Sequence, residues 1–383
     1  MQKKSWMVKI GLLVSLFSLV WLSACGGGGA PASTQNGSGQ ENDAASGTDA
    51  AGDGQTYRLT YNLVFPPTSN DWEPKYWAAE EFSRLVEERT NGRVKIDVFY
   101  SNQLVPQSEL LDALASGTVD MGGTSAYYGQ LVPEIDAIWL PFWSKGEDHS
   151  MHVMRDTEVG QLFEQSLEDY GAKLLFYWPT GMYAVMTKDA IRSLEDMKGK
   201  KMRLAFGMWK SWYEQMGVAP ANVAAAEQYE ALLRGTIDGV IYPTYTIETY
   251  KFHEVIDYMT VPGFIDPTLC FTLISKSKWD QLPADIQQIM LEVGREMEQK
   301  AAEASKQYTE NSIQIAEQNG VEVIRLTPEA FEAFRQSAET IWDEYAQRNA
   351  NTQRIVEILR KDLEEWMQDN PEAQAWEERW LAQ

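Results

Sequence analysis

The sequence predicts an α/β protein of two lobes, and three observations lead there. From residue 57, stretches of alternating apolar residues and stretches of helical periodicity follow one another as β-α-β with short connections, which calls for parallel strands flanked by helices. A twelve-residue module recurs in the two halves, Glu109-Leu-Leu-Asp-Ala-Leu-Ala-Ser-Gly-Thr-Val-Asp120 and Glu227-Gln-Tyr-Glu-Ala-Leu-Leu-Arg-Gly-Thr-Ile-Asp238. Each copy reads as a helix, a glycine cap and a strand. Convergence of local rules is the simpler account of the echo, but similar modules in each half also fit two similar lobes. Finally, Pro283 to about Gln318 reads as one helix. At ~1.5 Å per residue its length is about 54 Å, more than a single lobe needs.

The elements follow in order. Tyr57, Leu59, Tyr61, Leu63 and Phe65 alternate with Arg58, Thr60 and Asn62, a strand that Pro66-Pro67-Thr68-Ser69-Asn70 breaks. Trp77, Ala78, Phe82, Leu85 and Val86 keep helical spacing up to Asn91-Gly92. Val94, Ile96, Val98 and Tyr100 alternate again, and a helix (108–116) and a short strand (118–123) continue the pattern. A second run starts near 173, with strands at Lys173–Trp178, Ala184–Met186 and Lys201–Ala205 and helices near 208–216 and 226–234. In the long helix Pro283 suits the first turn and Gly320 the cap. Ile286, Ile289, Met290, Val293, Met297, Ala301, Ala304 and Tyr308 form its apolar stripe. A helix packed on one domain or a coiled coil is the alternative, though the stripe is not a strict heptad. Helices at 328–347 and 351–369 follow. Trp376 and Trp380 are i,i+4 neighbours, and the protein's own body is their expected dock.

Composition narrows the function. Of 383 residues, 33 are Lys or Arg and 56 Asp or Glu, for a net charge of −23. That surplus of acid excludes a nucleic-acid partner, which needs clustered cations. With 44% hydrophobic residues the chain can fold, and two cysteines exclude a disulfide framework.

The first residues read as an address. Lys3, Lys4 and Lys9 precede the apolar run Ile10–Leu22, too short to span a bilayer and about right for a secretory segment. Leu22-Ser23-Ala24-Cys25 then resembles a bacterial lipobox, in which the cysteine is lipidated. The alternative is an ordinary signal peptide with a chance cysteine. Removing residues 1–24 takes away three lysines and moves the charge from −23 to −26. Residues 26–56 hold no aromatic residue and no Val, Ile or Leu, so they read as a tether with a reach of roughly 30 Å. Cys270, between Leu269 and Phe271, reads as a small core residue.

Catalytic and metal motifs are missing: there is no G-x-S-x-G, Walker A, H-E-x-x-H or C-x-x-C. His149 and His152, beside Asp148 and Asp156, have a spacing two metal ligands can use, but without a third histidine nearby they read as solvated surface, as does His253. No metal and no cofactor is expected, and a binding role is favoured over an enzyme.

Six segments together resemble the substrate-binding proteins of tripartite ATP-independent periplasmic (TRAP) transporters over about 57–365. They are Phe82-Ser-Arg-Leu-Val-Glu-Glu-Arg-Thr-Asn-Gly92, Ser101-Asn-Gln-Leu104, Leu140-Pro-Phe142, Leu194-Glu-Asp-Met-Lys-Gly-Lys-Lys-Met-Arg203, Glu227-Gln-Tyr-Glu-Ala-Leu232 with Gly235-Thr-Ile-Asp-Gly239, and Lys278-Trp-Asp-Gln-Leu-Pro283. The resemblance implies a two-lobed periplasmic-binding-protein clamshell with a long helix spanning both lobes. It also implies a ligand between the lobes and delivery to integral-membrane permease subunits driven by an ion gradient. The expected organisation is a signal peptide (1–24), the lipidated cysteine and tether (25–56), a first lobe (57–179, completed by about 268–300), a second lobe (180–267, completed by about 301–345) and C-terminal helices (346–383).

The resemblance also implies site residues. Arg203 stands where the family places the arginine that pairs with a ligand carboxylate, and its planar fork matches two carboxylate oxygens. Tyr183 replaces a second arginine, Ala225 a phenylalanine and Tyr242 an asparagine. Ser125 and Tyr128 occupy the first-lobe loop where acidic-sugar binders carry charge, and Phe65 ends the first strand. Trp178 is a further wall candidate, as is Trp209, though core packing competes for each. Tyrosines in place of polar contacts point to a small organic acid with one carboxylate and an apolar, cyclic or aromatic remainder. The competing readings are the binding protein of an ATP-driven importer, a lipid-anchored secreted hydrolase, and a structural or adhesive lipoprotein.

Overall fold

The structure is a computed structural model that describes residues 55–204 and 206–382. Cys25, the stretch read as a signal peptide and the tether up to Gly54 lie outside those residues. The described residues form eleven strands: β1 (Tyr57–Leu63), β2 (Val94–Phe99), β3 (Met121–Ser125), β4 (Ala172–Pro179), β5 (Tyr183–Thr187), β6 (Lys201–Arg203), β7 (Ala219–Ala221), β8 (Gly239–Pro243), β9 (Tyr258–Val261), β10 (Leu269–Ser275) and β11 (Glu322–Arg325). One sheet has the order β2-β1-β3-β10-β4, the other β11-β9-β5-β8-β6-β7. In the first, β1 pairs in parallel with β2 and β3, while β10 runs antiparallel to β3 and β4. In the second, β6 is parallel to β7 and β8, and β5 is antiparallel to β8 and β9. Each sheet with its helices makes one lobe of a mixed α/β molecule.

The repeated module occupies the same place in both lobes. Helices Leu110–Ala115 and Gln228–Leu233 end at Gly117 and Gly235, whose φ values of 73° and 68° suit glycine. Asp120 and Asp238 then reach sideways. Asp120 Oδ2 accepts the Thr60 N–H at 2.8 Å, and Asp238 Oδ2 accepts the Lys201 N–H at 2.7 Å. Each aspartate thereby ties its own strand to a neighbour. The first of these strands begins later than the pattern at 118–123 suggests. Thr118 and Val119 donate back to Ala113 O and close the helix before β3 starts.

Three connections join the lobes. Residues between β4 and β5 and between β9 and β10 run side by side: Thr180 N–H donates to Thr268 O at 2.9 Å, Thr268 N–H to Gly181 O at 3.0 Å and Tyr183 N–H to Ile265 O at 2.9 Å. The third is the helix Ala284–Gln318, 35 residues long. Its first half buries Ile286, Met290, Val293, Met297 and Ala301 against the first sheet, and its second half buries Tyr308, Ile313 and Ala316 beside the second lobe. Gly294 lets the helix approach β4, since a Cβ there would lie 3.0 Å from the Phe176 ring. Of the expected stripe only Ile289 is not buried.

The C-terminal helices Ala350–Asp369 and Pro371–Trp380 dock on the body. Trp376 and Trp380 are buried, and Trp376 Nε1 donates to Asp266 at 2.6 Å. The expected helix 328–347 is two helices, Pro328–Ser337 and Glu339–Ala346, parted at Ala338. The solvated reading of the histidines is corrected for His149, which is fully buried. Its Nε2 lies 2.8 Å from Asp362, and Trp366 stacks on its ring, both delivered by a helix over 200 residues away. His152 is part-buried against the same two residues, and His253 lies 2.7 Å from the Ile247 carbonyl. Among the described residues no helix is long and apolar enough to cross a membrane.

Candidate functional site

Strand ends from both sheets converge on a cleft of about 770 Å³ between the lobes. This is where open α/β sheets place ligands, because loops there are free to vary while the strands stay fixed. The first lobe contributes Phe65 beyond β1, Asn102 beyond β2, Ser125 at the end of β3, Gln107 at the start of the 3-10 turn Gln107–Glu109, and Tyr127 from a loop. The second contributes Tyr183, Arg203, Phe206, Asn222 to Ala225, Tyr242, Tyr245 and Tyr250. Thr180, Thr268 and Cys270 form the floor at the crossing segments.

Arg203 ends β6, a three-residue strand paired with β7 through Arg203 and Ala221. Its Nε donates to Val223 O at 3.0 Å, and its Cζ lies 4.9 Å from the centre of the Tyr242 ring. Its Nη1 is buried and has no hydrogen-bond partner. Arg203 is the one charged residue among the described lining residues, so no carboxylate of the cleft neutralises it. The fork is therefore held on one side by a carbonyl and a ring face, with donors left over for a ligand.

Tyrosines surround it. Tyr183 and Tyr242 meet edge to face with ring centres 6.0 Å apart, and Tyr242 and Tyr250 do the same at 5.9 Å. Register explains the cluster, since β5 and β8 pair Ala184 with Tyr242 and Tyr183 with Pro243. Trp139 and Phe206 stack at 3.9 Å and close the apolar side. Burial pushes the Tyr183 and Tyr245 phenols and the Cys270 thiol well up from their ordinary values. Burial, then the neighbouring Tyr242, pushes Tyr250 up to about 12. These groups stay neutral at physiological pH, and the cleft offers one fixed cation in an apolar, hydroxyl-bearing wall.

Of the residues expected at the site, Arg203, Tyr183, Tyr242, Ala225, Ser125 and Phe65 come together here, and Trp178 and Tyr128 do not. Trp178 is 1% exposed and stands behind Phe65, with ring centres 5.5 Å apart. Strand alternation turns it to the face packed against the long helix. Tyr128 folds inward and donates to Gln107 O at 2.8 Å, while its neighbour Tyr127, 62% exposed, reaches the cleft. Trp209 is fully buried, its indole donating to Trp139 O at 2.8 Å. Cys270 is buried as expected of a core residue, yet it also touches the cleft.

Sequence reasoning missed Trp139, Phe206, Tyr245 and Tyr250. Trp139 directly precedes the quoted Leu140-Pro-Phe142 segment, and Phe206 lies three residues past Arg203. Their adjacency to those segments was the available signal.

A family model described as bacterial extracellular solute-binding protein, family 7, matches residues 67–349. The C4-dicarboxylate-binding periplasmic protein DctP of Rhodobacter capsulatus is 29% identical over 293 residues, covering 75% of this chain and 85% of its own. A TRAP periplasmic solute-binding protein from Ochrobactrum anthropi, solved with its C-terminus bound in the ligand-binding pocket, is similar with a TM-score of 0.76 at 24% identity, over 84% of this chain and 98% of that one. One from Desulfovibrio salexigens with bound orotic acid gives 0.72 at 23%, over 81% and 99%.

Proposed function

This chain belongs to family 7 of the bacterial extracellular solute-binding proteins, the substrate receptors of TRAP transporters, and from that premise we propose that its cleft captures a small organic acid with a single carboxylate and an apolar, cyclic or aromatic remainder. The family consists of extracytoplasmic binding proteins for small carboxylates, not enzymes. The observation that carries the finer reading is the buried, unpartnered Nη1 of Arg203 in a cleft with no other charged residue among its described lining. A carboxylate completes that guanidinium, and exclusion of water strengthens the pair. A second carboxylate, as in the acids for which the Rhodobacter capsulatus relative is named, would meet no second cation and would lose its hydration unpaid. The tyrosine and tryptophan faces suit a ring instead.

In this proposal the open lobes admit the acid, Arg203 fixes its carboxylate, and the lobes close about the crossing segments, shifted by the acid's differential affinity for the closed form. Integral-membrane TRAP permease subunits then receive it. We also propose that Cys25 is lipidated and that residues 26–56 tether the body to the envelope; the support is the Leu22-Ser23-Ala24-Cys25 segment behind a short apolar run. Loss of radiolabelled fatty acid from a Cys25→Ser variant is the expected result, and unchanged labelling overturns the anchor. Neither an ATP-driven importer nor a secreted hydrolase draws support from the family match.

The test of the site is a thermal-shift screen against small organic acids, followed by calorimetry of Arg203→Ala with any acid found. Affinity should fall more than about tenfold, ~1.4 kcal/mol. A smaller loss removes Arg203 from the role of carboxylate partner.

A further inference from the structure

At the floor of the cleft, where the crossing segments meet, a second polar atom is left unsatisfied. Thr268 is 3% exposed and lines the cleft, and its Oγ1 makes no hydrogen bond of good geometry, the Tyr183 phenol approaching it without satisfying it. Its backbone is fixed on both sides, by the bonds to Gly181 O and from Thr180 N–H described above. A buried hydroxyl without a partner has lost its hydration with nothing to replace it, at a cost to the fold. Such a cost calls for an explanation, and a ligand that completes the bond supplies one.

The surroundings fix the kind of ligand group. The phenol of Tyr183, the hydroxyl of Thr180 and the thiol of Cys270 stand beside Thr268, all neutral. This end of the cleft offers hydrogen bonding without charge, whereas the Arg203 end offers charge. Arg203 ends β6, whereas Thr268 lies just before β10 on the segment bonded to Thr180 and Gly181, ahead of β5.

We infer that Thr268 is the second polar anchor of the cleft, and that its ligand is a cyclic or aromatic monocarboxylic acid bearing a neutral hydroxyl or carbonyl at the end remote from the carboxylate. This rests on the reading of Arg203 as the carboxylate's partner. A site built to hydrogen-bond such a group discriminates strongly against the analogue that lacks it, because the protein's own polar atom then stays unpaired. It discriminates against a charged group there even more, since no cation awaits it.

Calorimetry of the mature chain with benzoate, 4-hydroxybenzoate and terephthalate tests this. The wild type should bind 4-hydroxybenzoate at least about tenfold more tightly than benzoate and should not bind terephthalate. Thr268→Val should erase the preference and leave benzoate affinity within about twofold, because the shape is kept and the hydroxyl is lost. Thr268→Ser should retain the preference. The inference is overturned if the preference survives Thr268→Val, is lost in Thr268→Ser, or is absent from the wild type. It is overturned too if Thr268→Val weakens benzoate as much as 4-hydroxybenzoate, which marks a structural role. Arg203→Ala separates the two readings: loss of both monocarboxylates leaves the clamp standing whichever way Thr268 falls. If the wild type binds none of the three acids, this inference fails, while the reading of Arg203 is decided by Arg203→Ala with the acid found in the screen.

Discussion

Arg203 is instructive because its identity alone says little: an arginine after Lys-Met on a short strand is ordinarily a surface charge. Its neighbours change that. Val223 O takes one donor, Tyr242 covers a face, and Nη1 is left buried and free. The same neighbours predict the pH profile. Among the described lining residues there is no histidine or carboxylate, and burial holds the Tyr183 and Tyr245 phenols and the Cys270 thiol above their ordinary values, with Tyr250 at about 12. Affinity for an acid that is fully ionised above about pH 6 should therefore stay flat from about pH 6 to pH 9. A tenfold change per pH unit in calorimetry across that range contradicts the assignment. Single residues also mark how far the sequence could be read. Phe65, Ser125, Arg203 and Tyr242 sit at or just past strand ends, which alternation locates to within a residue or two. Tyr128 and Trp178 show the limit: in a loop or on a two-sided strand, one position decides whether a ring faces the cleft or the core.

At the scale of elements, the repeated helix-glycine-strand modules could be read because caps and alternation are local. The buried His149 could not, since its environment comes from the helix Ala350–Asp369. Its Nδ1 accepts the Lys145 N–H at 3.0 Å, which leaves the proton on Nε2, facing Asp362. An imidazolium would have to break the Lys145 bond, and burial lowers the pKa from its ordinary 6.5, with Asp362 opposing and His152 and Lys145 adding repulsion. The folded state thus binds fewer protons here than the unfolded chain. The stability this neutral ring confers is full above about pH 6.5 and declines as pH falls below it. The melting temperature of the wild type should drop on acidification through that window, and His149→Gln should flatten the curve. Parallel curves for the two proteins exclude His149 as the cause. Trp376, on the following helix, is buried and donates to Asp266. Trp376→Ala should cost about 3–5 kcal/mol in denaturant melts, from the cavity and from the Asp266 carboxyl left without its donor.

For the molecule as a whole, the two lobes and the helix joining them follow from patterns spread over many residues, whereas the seam between the lobes depends on backbone approach that no side-chain pattern records. Gly263 lies in that seam. A Cβ built there would sit 1.7 Å from Tyr183 O, and backbone rather than a pliable side chain would have to give way. The adjacent Tyr183 N–H donates to Ile265 O, so any shift is passed to a tyrosine of the cleft wall and to the segment carrying Thr268. Gly263→Ala should therefore act on stability and binding together. Overpacking of this kind costs about 1–3 kcal/mol, which lowers the melting temperature by a few degrees in a chain of this size. Displacing the crossing segments should also weaken a bound acid at least about tenfold, because fixed polar contacts lose strength steeply with misplacement. A variant that melts lower but binds the acid as tightly as the wild type would show that the crossing strands hold the lobes together without setting the geometry of the cleft.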